Sequence, residues 1–258
     1  GDEWVLNGQK VWTSGAHFAD YGMIVARSDP TALKHQGLTY FYVDMKTPGI
    51  EAKPIKQISG SANFNEVFFN DVRIPDSQRI GAEGDGWKVS LTTLMNERLA
   101  VGDPPGLDFD QIFEASKEIE VEDGLAVKNS EVRQKMADWY IQSRGLQYTK
   151  YRSMTALSKG QTPGPELSIS KLVTASKMQD VSSYALDLMD MSGMVHQDKN
   201  PILKNLFQNG YFFSAAMRIA GGTDEVLRNI IAERVLGLPQ DERSDKKLPF
   251  NELPSGKN

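Results

Sequence analysis

The chain has 258 residues, of which 40% are hydrophobic and 24% are charged, and this balance is typical of one large or two modest globular domains. The net charge of −5 and the isoelectric point near 5.4 argue against nucleic acid as a partner. No apolar run is long enough to span a membrane. Because the chain has no cysteine, it can form neither disulfides nor thiolate metal sites. We expect a cytoplasmic location by default.

Motifs for metal or nucleotide binding are also missing from the sequence. The three histidines, His17, His35 and His196, are scattered and form no cluster with carboxylates, so we expect no metal site. No glycine-rich dinucleotide or phosphate loop and no Gly-x-Ser-x-Gly nucleophile motif is present.

The first third of the chain has the pattern of β structure. Asn7 and Gly8 separate two short apolar runs and predict a β-hairpin, because this dipeptide accepts the positive φ angles of a tight turn. Further runs rich in β-branched and aromatic residues predict strands over residues 21–27, 38–44 and 65–73. Short strands at this spacing, without intervening helices, predict an antiparallel β-barrel or sandwich.

Helical periodicity begins after the glycine-rich turn at residues 81–86. Long amphipathic patterns cover residues 87–101, 132–157, 166–191 and 201–220, which predicts an antiparallel bundle of the four-helix type. The predicted fold class is therefore α+β, with a β domain over residues 1–84 and a helical domain over residues 85–240. We expect the polar residues 241–258 to lie on the surface or to fray.

Two adjacent glycines, Gly221 and Gly222, separate two helical segments near the end of the pattern. One interpretation is a tight turn between helices, in which Thr223 or Asp224 caps the second helix. The other is that the bare backbone lets a ligand approach closely, with free N–H groups at a helix start.

This stretch, residues 218–239, resembles the acyl-CoA dehydrogenase family, in which a Glu-Gly-Thr or Gly-Gly-Thr turn lies over a flavin and a thioester. The resemblance covers nearly the whole chain but only the family's middle β domain and C-terminal helical domain. We therefore expect a fragment, or a protein that has lost its N-terminal helical domain. The resemblance implies FAD as cofactor, an acyl-CoA substrate, an electron-transfer flavoprotein as electron acceptor, and a homodimer or homotetramer.

Two sets of residues match the family's flavin-binding positions. Trp12, Thr13 and Ser14 match a motif whose indole packs on the flavin ring and whose polar groups bond to its edge; the alternative is a strand end with one packed tryptophan. Gly222, Thr223 and Glu225 match positions beside the flavin and its ribityl chain. For Thr223 and Glu225 the alternative is a helix cap and a first-turn acid.

The family's usual catalytic glutamate is replaced here by Gly221. A minority of members instead carry the base directly before an arginine on the first long helix, and Glu97 precedes Arg98 there. The alternative is a structural ion pair or a solvated helix edge. By resemblance, Glu97 is the base, the Gly221 N–H binds the thioester oxygen, and Arg98 and Leu94 contact substrate, although Leu94 fits simple packing better.

The resemblance implies flavin-dependent α,β-dehydrogenation of an acyl-CoA to a trans-2-enoyl-CoA, with hydride transfer to flavin N5. Two alternatives stay open: a related flavin oxidase or monooxygenase, and a non-catalytic subunit of a mixed oligomer. The Arg-x-x-Phe-Gly motif that often binds the adenosine half of FAD is absent from residues 122–133.

Overall fold

The computed structural model describes residues 2–100, 107–161, 164–165, 167–195 and 202–254. Backbone contacts divide the chain into two compact units. The first comprises residues 1–102 together with 241–258, and the second comprises residues 103–240. The α+β class predicted from the sequence is confirmed, because antiparallel sheets occupy the first unit and helices dominate the second.

The described part of the first unit contains two three-stranded antiparallel sheets, β1-β5-β4 and β2-β3-β6. Buried side chains from both sheets join in one apolar cluster, which includes Leu6, Phe41 and Val72. The unit is thus a sandwich and not a closed barrel. The strands are β1 (Glu3–Ser14), β2 (Tyr21–Arg27), β3 (Leu38–Asp44), β4 (Ile50–Ile55), β5 (Phe64–Pro75) and β6 (Arg79–Ile80).

The predicted hairpin at Asn7 and Gly8 is wrong. β1 continues through both residues and pairs with β5, with a register shift between Leu6 and Gly8. Gly8 has φ 139°, and the Asn7 side chain bonds to Asp71 on the partner strand, with an Nδ2–Oδ1 distance of 2.9 Å. A bulge and a tight turn both need a residue with positive φ, so Asn-Gly is compatible with either.

Helix α1 (Gly86–Ala100) belongs to the first unit and packs on β3 and β2. Its start lies close to the sheet: a Cβ on Gly86 would come within 2.7 Å of the backbone of Leu38 and Thr39. The ring of Trp87, in the first turn, stacks on His35 at 4.2 Å between centroids. The boundary predicted near residue 84 places α1 in the helical domain, whereas the backbone contacts place it in the first unit. The predicted boundary stays a proposal.

The C-terminal residues of the first unit contact its sandwich. We call residues 245–252 the C-terminal clasp. Phe250 N donates to Ala32 O at 3.2 Å, Asn251 N donates to Pro30 O at 3.0 Å, and the guanidinium of Arg27 lies 3.8 Å from the centre of the Phe250 ring. The clasp is thus bonded to the sandwich through its backbone and through the Phe250 ring.

The second unit is built from helices around Trp139, which is 1% exposed. Helix α4 packs against α2, α3, α5, α6 and α7. The long helical patterns are confirmed, whereas α2 and the small hairpin β7-β8 were not predicted. The elements are α2 (Phe109–Ser116), β7 (Glu120–Val121), β8 (Gly124–Leu125), α3 (Ser130–Ser158), α4 (Leu167–Leu188), α5 (Met191–Met194), α6 (Ile202–Met217) and α7 (Asp224–Ile230).

A polar cluster around the buried Lys177 joins three of these helices. Asp108 caps α2, and its carboxylate accepts hydrogen bonds from Ser143 on α3 and from Lys177 on α4, the latter at 2.7 Å. The Lys177 side chain is 2% exposed. Because a buried ammonium is costly unless it is paired, this cluster favours one arrangement of the three helices over others.

Candidate active site

The Trp12 motif lies at the end of β1, where the pairing with β5 shifts register between Lys10 and Thr13. Trp12 has φ 63°, a conformation that is rare for a bulky residue. Its side chain is 62% exposed, and its ring meets Phe64 edge-on, with 6.1 Å between centroids. A bulge re-aims a side chain, and here it presents the indole to solvent instead of packing it in the core.

Thr13 and Ser14 are held beside Trp12 by residues of β5 and of the loop before it. The buried Asn65 donates from Nδ2 to the Thr13 carbonyl at 2.9 Å, and Gly15 N donates to Asn63 O at 2.9 Å. The alternative interpretation, a strand end with one packed tryptophan, does not describe this site, because Trp12 and Ser14 are exposed. An exposed flat ring beside polar groups is suited to a planar heterocyclic ligand.

Helix α1 carries the predicted residues Leu94, Glu97 and Arg98. Leu94 is 43% exposed, and so is Leu91 one turn earlier, so this face of the helix is not buried in the sandwich. The backbone of Glu97 and Arg98 is helical, but their side chains lie outside the described residues. Their roles therefore stay predictions from the sequence.

We call residues 221–224, between α6 and α7, the glycine corner. Gly221 has φ 67° and Gly222 has φ 103°, so both need the freedom of glycine. A Cβ on Gly221 would meet no atom within 4 Å, which leaves open space in front of this residue. Within the described part of the chain, the N–H groups of Gly221, Gly222 and Thr223 donate no hydrogen bond.

Thr223 caps α7, because its Oγ1 accepts from Val226 N at 3.2 Å. The capping interpretation of Thr223 is thus confirmed, and Glu225 is an exposed acid in the first turn. Successive unpaired N–H groups beside a left-handed glycine form a concave surface that favours an anion or a polarised oxygen. The corner therefore has the donors that a developing oxyanion needs.

An ionic cluster that the sequence did not reveal lies under the corner. Asp224 is 2% exposed, and its Oδ2 accepts from Arg218 Nε at 2.6 Å. Lys171, from α4, donates from Nζ to the carbonyl of Gly222 at 2.6 Å. Burial, the larger influence, lowers the pKa of the Lys171 ammonium below its usual value, although the nearby Asp224 carboxylate pulls in the opposite direction.

The sequence pattern indicates Asp224 only as a cap or first-turn acid, whereas the structure buries it as an ion-pair partner. Lys171 lies 51 positions before Gly222, and no local pattern links them. The described residues contain no group of three or more His, Cys, Asp or Glu side chains arranged to hold a metal. Among the described helices, none has the length and apolarity to cross a membrane.

Comparison with known proteins places the domains of this chain in one protein family. The family profile for the acyl-CoA dehydrogenase middle domain matches residues 1–72, and the profile for the C-terminal domain matches residues 84–236. The chain belongs to the acyl-CoA dehydrogenase family.

The chain is 36% identical to acyl-CoA dehydrogenase FadE34 of Mycobacterium tuberculosis, over 92% of this chain and 32% of that protein. It is 36% identical to acyl-CoA dehydrogenase IpdE1 of the same organism, over 94% of this chain and 62% of that protein. A solved structure described as the Tcur3481-Tcur3483 steroid ACAD aligns with a TM-score of 0.81 and 25% identity, over 93% of this chain and 62% of that one. The chain thus spans less than two thirds of each of these relatives.

Proposed function

We propose that the chain is part of an FAD-dependent enzyme that dehydrogenates an acyl-CoA at its α,β bond, with Glu97 as the general base. The observation that carries the proposal is the open space in front of Gly221, where many family members carry their catalytic glutamate. A corner without an acid needs a base from elsewhere, and Glu97 precedes Arg98 on α1 as in the minority of members described above.

Each residue has a defined task in this proposal. Glu97 removes the α-proton of the thioester, and the Gly221 N–H donates to the thioester oxygen, on which negative charge develops. Trp12 forms a wall for the flavin ring, with Thr13 and Ser14 at its polar edge. Bound FAD would supply a hydride acceptor at N5.

The remaining family positions support binding. Gly222, Thr223 and Glu225 lie beside the flavin and its ribityl chain, and Arg98 and Leu94 contact the substrate. Electrons pass to an electron-transfer flavoprotein, and the protein acts as a homodimer or homotetramer. Because one structural neighbour is described as a steroid enzyme, the substrate panel should include acyl groups with polycyclic rings as well as straight chains.

The test is Glu97→Gln in the intact protein, with flavin reduction by acyl-CoA followed by stopped-flow absorbance. Loss of one general base typically slows proton transfer by about 100-fold to 10,000-fold. Glu83→Gln is the matched control, because Glu83 is an exposed glutamate in the turn before α1. Reduction at the wild-type rate in Glu97→Gln would exclude Glu97 as the base.

Two further measurements distinguish the alternatives. Rapid reoxidation of the reduced flavin by air would favour an oxidase or monooxygenase. A colourless protein that becomes active only with a partner chain would favour a non-catalytic subunit of a mixed oligomer.

A further inference from the structure

Two side chains of helix α4 hold the glycine corner, one by direct contact and one through Arg218. Lys171 Nζ donates to the Gly222 carbonyl at 2.6 Å, and Gln179 Oε1 accepts from Arg218 NH1 at 2.8 Å. Residues eight positions apart lie about two turns apart on one face of a helix. The corner is thus fastened to α4 at two points, one directly on its backbone and one through Arg218.

Asp224 connects these two points. Its Oδ2 bonds to Arg218, while its Oδ1 lies 4.0 Å from Lys171 Nζ and has no hydrogen-bond partner among the described residues. The Asp224 carboxylate therefore balances the charge of the Lys171 ammonium without accepting its short hydrogen bond. That hydrogen bond goes to the backbone of the corner.

The bond to Gly222 fixes more than one atom. The Gly222 carbonyl and the Thr223 N–H belong to one planar peptide group, so holding the oxygen also sets the direction of that N–H. Gly221 and Gly222 have no side chains to restrain the corner, and glycine has more backbone freedom than any other residue. A corner of this kind needs an external restraint if its N–H groups are to point in a defined direction.

We propose that Lys171 is a positioning residue, whose hydrogen bond to the Gly222 carbonyl holds the glycine corner in the conformation required for dehydrogenation. This inference rests on the proposed function, in which the Gly221 N–H receives the developing charge. A misplacement of about 1 Å in such a site can cost on the order of 100-fold in rate.

The test compares three variants of the intact protein. Lys171→Met keeps the length of the side chain but removes the charge and the donor. Lys171→Arg keeps both. Lys177→Met is the matched control, because it removes a buried lysine of the same helix that bonds to Asp108 and Ser143 instead of the corner.

We expect Lys171→Met to slow flavin reduction by about 10-fold to 100-fold, with little change in the Kd for acyl-CoA. Hydrogen–deuterium exchange of the peptide that covers residues 218–226 should rise in the flavin-free protein, where activity plays no part. Lys171→Arg should recover part of the rate. Lys177→Met should leave exchange at the corner unchanged, since its contacts lie elsewhere.

Unchanged exchange at the corner in Lys171→Met would overturn the inference. So would flavin reduction at the wild-type rate in Lys171→Met, provided that Glu97→Gln is inactive in the same assay. If no acyl-CoA of the panel reduces the flavin of the wild-type protein, the proposed function fails instead, and the exchange measurement alone decides whether Lys171 restrains the corner. If Lys171→Met does not fold, Lys171→Gln, which keeps a donor without the charge, is measured in the same way.

Discussion

Asn65, which is fully buried in β5, donates from Nδ2 to the carbonyl oxygen of Thr13 across 2.9 Å. Its Oδ1 lies 2.9 Å from Nδ1 of His17. One core side chain thus fastens both the end of β1, where the Trp12 motif lies, and the loop that follows. The orientation of that exposed motif therefore depends on a residue in the interior.

We expect Asn65→Ala to lower the free energy of unfolding by about 2 kcal/mol, because it removes two hydrogen bonds and leaves a partly buried carbonyl without its donor. Urea unfolding at neutral pH measures the change. Asn70→Ala, at an exposed position further along the same strand, is the control and should change stability little. Equal losses in the two variants would contradict this account.

Because the backbone at Trp12 is left-handed, we expect one substitution there to weaken ligand binding without lowering the stability of the fold. In Trp12→Gly, relief of the backbone strain, about 1–2 kcal/mol, opposes the loss of the edge contact with Phe64, about 0.5–1.5 kcal/mol. We expect nearly unchanged thermal stability but FAD binding weakened by about 10-fold, because the wall for the ring is gone.

Calorimetry and FAD titration check the two halves of that prediction separately. Val11→Gly removes the neighbouring exposed side chain without changing the left-handed position, so it should not weaken FAD binding. Unchanged FAD affinity in Trp12→Gly would show that the exposed indole serves another purpose.

Acid should destabilise the sandwich through Asp76. The Arg79 guanidinium, which forms two hydrogen bonds of 2.8 and 2.9 Å with this carboxylate, and the indole N–H of Trp4 at 2.7 Å hold the pKa of Asp76 far below its usual range. Because the folded pKa is lowered, the stabilisation is complete above the unfolded value of about 3.9 and is lost as the pH falls below it.

We expect the wild-type protein to lose stability as the pH falls from about 4 to about 2, and Asp76→Asn to lose less over the same range while being less stable at pH 7. Urea midpoints across this range measure both. Glu51→Gln, which removes a carboxylate from an exposed pair with Lys53, is the control and should follow the wild type. Parallel wild-type and Asp76→Asn curves would refute the assignment to Asp76.

Phe250→Ala tests the C-terminal clasp. The cation–π contact with Arg27 contributes about 0.5–2 kcal/mol, and its loss should loosen the backbone bonds to Pro30 and Ala32. We expect faster hydrogen exchange over residues 249–253, because the amides at positions 250 and 251 donate these bonds. Phe18→Ala removes a phenylalanine that is 77% exposed and should leave exchange in that segment unchanged.

The sequence predicted the long elements well because each carries its own periodic signal. Helix α3 runs over Ser130–Ser158, close to the predicted 132–157. The errors concern choices that depend on distant residues: Asn7 and Gly8 formed a bulge because β5, about 60 positions away, pairs with both sides of them. The short helix α2 relies on Asp108, whose partners come from α3 and α4.

In the candidate site, too, features with a local sequence signal could be predicted and features that depend on distant residues could not. Trp12, Thr13 and the glycine corner could be found because their residues are consecutive and match a family motif. Asn65, Lys171 and Gln179 could not, since each acts on a backbone or side chain more than 35 positions away. Residues that hold a motif in place are set by tertiary contacts, and one sequence does not reveal those contacts.

The C-terminal clasp also has a consequence for biosynthesis. A ribosome completes all six strands of the sandwich before it begins the 103–240 unit, yet the residues that bond to Pro30 and Ala32 are translated only after that whole unit. A sandwich that forms on the ribosome therefore lacks these last contacts while more than half of the polypeptide is still being made. The bonds between the clasp and segment 28–38 can therefore form only in a late step of folding.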